Sequence, residues 1–267
     1  SNQLYFATWI SEQKLAAHPE KVIIYAIEEP EAHLHPHQQR RLAKYLSSAI
    51  GGQALITTHS PQIIESFTDG RILRLFNYGA SANGSHALGC SIDVDEALDR
   101  FGYRLDAISS EVFFSSGVFL VEGPSERIFY SALAHALKKD VDRLNISILS
   151  VEGVGFEPYV RVCSSLGIPY TLRTDNDVFK IAKTERWRAA GVQRLTSIAS
   201  RYVEDDNLEG LTKEYAEDLI WKDSREPPVE SEKAMKTLAS SLAEHGLFLS
   251  EYADLEDDLV HGPLFKE

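Results

Sequence analysis

Residues 117–126, GVFLVEGPSE, constrain this chain more than any other stretch. The run from Gly117 to Val121 is apolar without alternation, the pattern of a strand covered on both faces, as in a parallel sheet. Glu122 stands at its carboxyl end, Gly123 permits a tight turn, and Pro124 suits the first position of a helix. The spacing of Ile128, Phe129, Leu133 and Leu137 predicts that helix and gives it one apolar stripe. Glu126 then falls in the first helical turn, close to Glu122. Two carboxylates facing one crevice repel each other, so the pair predicts a cation between them and hence a divalent-metal site.

The residues that follow extend the pattern. Residues 146–151 read as a second strand and 157–166 as its helix. A third strand, 168–174, ends in Asp175, Asn176 and Asp177. In extended chain the side-chain period is two, so Asp175 and Asp177 share a side. A short apolar strand at 247–249 precedes Ser250, Asp254, Glu256, Asp257 and Asp258. Alternation of strand and helix predicts an α/β fold with a parallel sheet, and open sheets of this kind bind ligands beyond their strand ends, where these acids gather. The lone Gly153-x-Gly155 reads as a turn.

The first half has a similar logic. Residues 4–17 read as a helix, 22–27 (VIIYAI) as a second buried strand ending in Glu28 and Glu29, 36–50 as a helix, and 54–57 as a strand ending at Thr58 and His59. A strand ending in two acids, followed about thirty residues later by one ending in His, suits nucleotide hydrolysis. The first acid can hold the water shell of Mg²⁺, the second can polarise the attacking water, and the His can reach the γ-phosphate. His33, His35 and His37 alternate, but Pro36 interrupts them and no further ligand follows at zinc-finger spacing. Residues 71–76 read as a strand and 78–89, rich in Gly, Ser, Ala and Asn, as a loop. Linking helices are expected over 94–111.

The 267 residues leave room for two modest domains. With 27 basic and 40 acidic side chains, a formal charge of −13 excludes a globally basic nucleic-acid binder but not a local basic face. Cys90 and Cys163 lie far apart without metal-ligand spacing, which suits a reducing cytoplasm. No apolar run approaches the roughly 18 residues of a membrane span, so no membrane partner is expected. The chain lacks an initiator Met and reads as a piece of a longer one.

The text IYAIEEPEAHLHP followed by LITTHSP resembles the Walker B, D-loop and switch-histidine segments of ABC-type ATPases, in the branch that includes the OLD-family nucleases. The resemblance implies Glu28 as the Mg²⁺ acid, Glu29 as catalytic base and His59 as switch histidine. Most such ATPases have Asp at the position of Glu28. No GxxxxGK[ST] loop and no SGG-like signature occurs in the sequence, so ATP binding and hydrolysis are expected only together with a preceding lobe. EGPSE, TDND and DLED resemble the Toprim domain in its OLD-family form. That resemblance implies a metal-dependent DNA nuclease holding two Mg²⁺ or Mn²⁺ ions, with Glu122, Asp175 and Asp177 serving one metal and Glu126, Asp254 and Glu256 the other. It also implies a downstream lysine, for which the sequence offers only Lys266, and a homo-oligomer formed through the ATPase domain.

Domain boundaries are expected at 1–78 for the ATPase part, 79–114 for a helical connection and 115–267 for Toprim. A helical insertion is expected over about 183–245. From Lys180 to Arg201 it carries Lys180, Lys183, Arg186, Arg188, Arg194 and Arg201 against Glu185 alone. These are the DNA-facing candidates, with a merely solvated charged helix as the alternative. Two other functions stay open: a DNA-repair or sensor ATPase whose Toprim-like domain binds without cutting, and a primase-like nucleotidyl transferase.

Overall fold

The structure is a computed structural model. It describes residues 8, 11–12, 22–50, 52–67, 69–81, 84–94, 109–153 and 155–261. The helices expected over 4–17 and 94–111 fall mostly outside these residues, and Lys266 does so entirely. The chain divides into two compact units, Ser1–Phe114 and Ser115–Glu267.

In the first unit, β1 (Ile24–Glu28) pairs in parallel with β2 (Gln53–Thr57). Helix α1 (Pro36–Ala49) starts at the Pro36 expected for it and covers one face. Tyr25, Ile27, Leu42 and Leu46 form the core there, with Leu34, Tyr45 and Ile56 packed against it. A strand buried on both faces was the expectation for β1, and this is corrected. Its burial alternates, leaving Ile24 and Ala26 exposed. With a helix on one side only, alternate side chains have nothing to pack on among the described residues. The short helix α2 (Pro61–Ile64) follows β2.

The loop reading of 78–89 is also corrected. β3 (Arg71–Ser81) and β4 (Gly84–Asp93) form an antiparallel hairpin with a register shift between Asn77 and Ala80. Small residues were read as loop, but cross-strand pairing overrides weak local propensity. A 3₁₀ turn (Ser109–Phe114) closes the unit.

The second unit is built on a parallel sheet ordered β11-β7-β5-β6. Its strands are β5 (Gly117–Val121), β6 (Ile146–Ser150), β7 (Tyr170–Thr174) and β11 (Leu247–Leu249). Helix α3 (Pro124–Ala136) follows β5 and α4 (Glu157–Ser165) follows β6, as the sequence pattern requires. Leu120 and Leu172 on the two central strands, and Leu247 on the edge strand β11, are fully buried.

The insertion between β7 and β11 is only partly helical, which corrects the expectation. β8 (Val178–Lys180), β9 (Arg186–Ala189) and β10 (Ile220–Lys222) form a small antiparallel sheet. Helices α5 (Ala190–Tyr202), α6 (Asp206–Glu214) and α7 (Val229–Glu244) complete the insertion, and α8 (Leu255–His261) follows β11. Alternating charges in KTERWR hide a strand whose inward residues are Trp187 and Ala189. No described helix is long and apolar enough to cross a membrane.

Candidate metal and phosphate site

The carboxyl ends of β5, β7 and β11 bring Glu122, Asp175, Asp177 and Ser250 to one edge. Parallel strands in register end together, and each of these residues directly follows a strand or lies within three residues of one. Glu122 Oε1 accepts the Asp175 backbone N–H at 3.0 Å and also the Thr174 hydroxyl. Asp175 Oδ1 lies 3.4 Å from the Ser250 hydroxyl. Helix α5 begins against this edge: the N–H groups of Ala190 and Gly191 both donate to the Asp177 carbonyl, at 2.8 and 3.2 Å. Gly191 is required there, because a Cβ would stand 2.2 Å from the Asp175 carbonyl oxygen.

Two arginines enter the cluster. Arg194, one turn into α5, donates to Glu122 and Thr174 through one nitrogen and to Asp177 Oδ2 at 3.0 Å through the other. Arg173, only 7% exposed, donates to Glu126 Oε1 at 2.7 Å and to Asp258 Oδ2 at 2.6 Å. Glu126 is itself 6% exposed, and its other oxygen accepts the N–H groups of Glu122 and Gly123 at 2.7 and 3.0 Å. Glu126 therefore caps its helix and neutralises a buried guanidinium at once.

Asp254 and Glu256 do not join these contacts. Asp254 caps α8, accepting the Asp257 N–H at 2.9 Å, and Glu256 is exposed. From the same segment it is Asp258 that reaches in, through Arg173 and through the N–H groups of Glu251 and Tyr252. Sequence spacing gave no reason to prefer Asp258 to its acidic neighbours. Arg173 was hidden in an apolar strand, where only its charge could have flagged it. Arg194, read as DNA-facing, lies inside the acid cluster.

The donor set is all oxygen, which suits a hard divalent cation. Around the two guanidiniums stand the carboxylates of Glu122, Glu126, Asp175, Asp177 and Asp258, so negative charge remains in excess. The Asp175 carboxyl records it: burial, then repulsion from Glu122 and Glu126, push it up to about 7 despite the attraction of Arg173. Among the described residues no three His, Cys, Asp or Glu side chains stand in metal-ligating array; here the arginines occupy the carboxylate oxygens. Chemistry and charge thus fit a divalent ion, with Glu122, Asp175 and Asp177 as the carboxylates able to hold it once Arg194 yields.

The raised Asp175 has a consequence for stability. A carboxyl that holds its proton more tightly folded than unfolded stabilises the fold below its ordinary range near 3.8, and this contribution is lost as pH climbs through about 7. In chelator, the melting temperature of the second unit is expected to fall between about pH 4 and pH 8 from this group alone. Asp175→Asn should flatten that part of the profile and melt higher than wild type at pH 8. Superimposable profiles in thermal melts across this range would contradict the assignment.

In the first unit, Glu28 ends β1 exposed, and Glu29 follows in the left-handed region at φ 39°. Glu29 Oε1 lies 3.3 Å from His59 Nε2. Glu29, His59, Ser60, Gln39 and Gln62 line a shallow pocket with Glu31. Glu31, missed in the sequence reading, is buried and accepts the Thr58 hydroxyl and the His59 N–H at 2.5 and 2.8 Å. The third acid of EEPE was its only signal. His35 caps α1, its ring nitrogen accepting the His37 N–H at 3.5 Å, and Arg40 bonds His37 at 2.7 Å.

Residues 113–177 match the family of the overcoming lysogenization defect protein-like Toprim domain, and residues 3–64 match an AAA ATPase domain. The chain is 29% identical over 246 residues to Endonuclease GajA of Bacillus cereus (strain VD045), a match covering 90% of this chain and 41% of that protein. It is 31% identical over 179 residues to the OLD nuclease of Thermus scotoductus (strain ATCC 700910 / SA-01), covering 61% of this chain and 32% of that one. The C-terminal region of the Xanthomonas campestris pv. campestris OLD protein is 29% identical, covering 58% of both chains with a TM-score of 0.38. The chain thus spans less than half the length of the curated relatives it matches.

Proposed function

From a chain that joins an AAA-type ATPase segment to an OLD-like Toprim domain, we propose a divalent-metal-dependent DNA endonuclease, coupled to ATP in a longer protein. The observation that carries this reading is the carboxylate cluster at the strand ends, whose charge two arginines leave unbalanced. Glu122, Asp175 and Asp177 would hold Mg²⁺ or Mn²⁺; when bound, such an ion supplies Lewis-acid stabilisation of charge on a phosphodiester oxygen. A second ion would draw on Glu126 and the acids around the start of α8: Asp258 already bonds Arg173 inside the cluster, Asp254 caps the helix next to Ala253, whose carbonyl accepts the Asn176 N–H, and Glu256 is exposed.

Arg194 has a part of its own. Its planar fork, engaged here by Glu122 and Asp177, matches a phosphate as well as a carboxylate. Oxygen ligands surrendered to a metal free that fork for a non-bridging phosphate oxygen. The hydroxyl of Ser250, next to Asp175, is a further polar group facing the same edge.

In the first unit, Glu29, 3.3 Å from His59, would act as the base and His59 as the γ-phosphate sensor of an ATPase site, Glu28 would hold the water shell of Mg²⁺, and Glu31 fixes the backbone at His59. The longer protein would assemble as a homo-oligomer through this domain. The nuclease reading is tested with supercoiled plasmid and this chain in Mg²⁺, Mn²⁺ or chelator. Nicked or linear product is expected with either metal and none in chelator. DNA retention without any scission in either metal would instead favour a domain that binds without cutting.

A further inference from the structure

The small sheet β8-β9-β10 grows directly out of the acid site. β8 begins one residue after Asp177, and β9 leads back to Ala190, whose N–H donates to the Asp177 carbonyl at 2.8 Å. Its register sets Phe179 opposite Arg188, Arg188 opposite Ile220, and Arg186 opposite Lys222. Residues paired in this way share a face, so Phe179, Arg186, Arg188, Ile220 and Lys222 lie together. All five are exposed, Phe179 by 48% and Ile220 by 38%. The other face carries Trp187 and Trp221, the latter buried, its indole N–H donating to the Ser224 carbonyl at 2.9 Å.

This face has two features that folding alone does not call for. Arg186 and Lys222 are like charges directly opposite each other, an arrangement that destabilises a sheet unless an anion joins them. Lys180, on the opposite face, is satisfied by Glu185 at 2.9 Å, whereas no described ion pair engages Arg186, Arg188 or Lys222. On a chain of net charge −13, three uncompensated cations around an exposed aromatic ring form a local reversal of sign. A duplex offers such a surface phosphates but hides its base faces. A single strand offers both, phosphates for the cations and a π-face for Phe179.

We propose that the outward face of this sheet is a docking platform for single-stranded DNA, which it leads into the acid site. The inference rests on the nucleic-acid reading of that site. Phe179 stacks a base, and Arg186, Arg188 and Lys222 hold the flanking phosphates. Phe179 lies two residues from Asp177, roughly 7 Å along an extended strand, so a nucleotide stacked there has its phosphate next to the carboxylates.

The test is binding of fluorescent oligo(dT) and of a duplex of equal length in chelator, where no cleavage intervenes. Single strands should bind wild type more tightly than duplex. Phe179→Ala should weaken single-strand binding about tenfold, in line with the loss of one stacked base, and leave duplex binding nearly unchanged. Phe179→Trp should restore it. Arg186→Ser with Lys222→Ser should lower the salt slope for single strands by about 1.4, at roughly 0.7 for each phosphate contact. Equal affinity for duplex and single strand, or unchanged oligo(dT) binding by these variants, overturns the proposal, the latter being the result expected if the face meets another protein. A chain that binds single strands on this face but never cuts plasmid would sink the nuclease reading and leave the platform; cleavage with unaltered binding by the variants would do the reverse.

Discussion

Glu122→Ala is expected to abolish strand scission while leaving the second unit folded. Glu122 Oε1 is where three donors converge: the Thr174 hydroxyl, the Asp175 N–H and Arg194. It is therefore the oxygen at which an incoming cation would displace a guanidinium. Its side chain is 29% exposed, so truncation opens the site to water and does not bury a void. The loss of one anionic ligand at the reacting centre should cost at least about 10³-fold in rate, equivalent to about 4 kcal/mol of the barrier. Mn²⁺ affinity measured by calorimetry should fall in parallel, while circular dichroism stays unchanged. A variant that cuts at the wild-type rate would remove Glu122, and with it the strand-end site, from the chemistry.

Glu126→Ala is a different experiment, and the structure explains why the sequence could not separate the two. Both glutamates follow one apolar strand at a spacing of four, which places them in the same crevice but says nothing of what else is there. From that spacing alone, either could be removed without harm to the fold. Glu126 instead carries a helix cap and the charge of Arg173, so its loss should damage folding as well as activity.

What could be read in advance was whatever local periodicity determines. The parallel strands, the helix opened by Pro124 and the gathering of acids beyond the strand ends all follow from short patterns in β5, β7 and β11. Contacts between residues far apart in the chain were not legible. Arg194 lies 72 residues from Glu122, and Asp258 lies 85 residues from Arg173; no spacing rule links them. The insertion failed for another reason. β8, β9 and β10 are three or four residues each, too short for alternation to outweigh a charge pattern that also suits a helix.

Arg173→Met should be the most destabilising single change at this site. The guanidinium is buried, lies 2.7 Å from Glu126 and 2.6 Å from Asp258, and sits 5.9 Å from the centre of the Tyr130 ring. Methionine fills comparable space but leaves two carboxylates facing each other without a counter-charge, and Asp175, with its displaced proton equilibrium, close by. Breaking a buried ion pair from one side costs about 3–5 kcal/mol, chiefly because the abandoned charge stays desolvated. In urea denaturation the midpoint for the second unit should fall accordingly. Removing the partner as well should recover much of the loss, so Arg173→Met with Glu126→Gln is expected to be more stable than Arg173→Met alone. Arg194→Met is the comparison that isolates burial. Its ion pairs have side chains about 30% exposed, and solvent screening should hold its cost to about 1 kcal/mol. Equal losses for the two arginines would mean that charge balance across the whole cluster, and not the buried Arg173–Glu126 contact, sets the stability of the site.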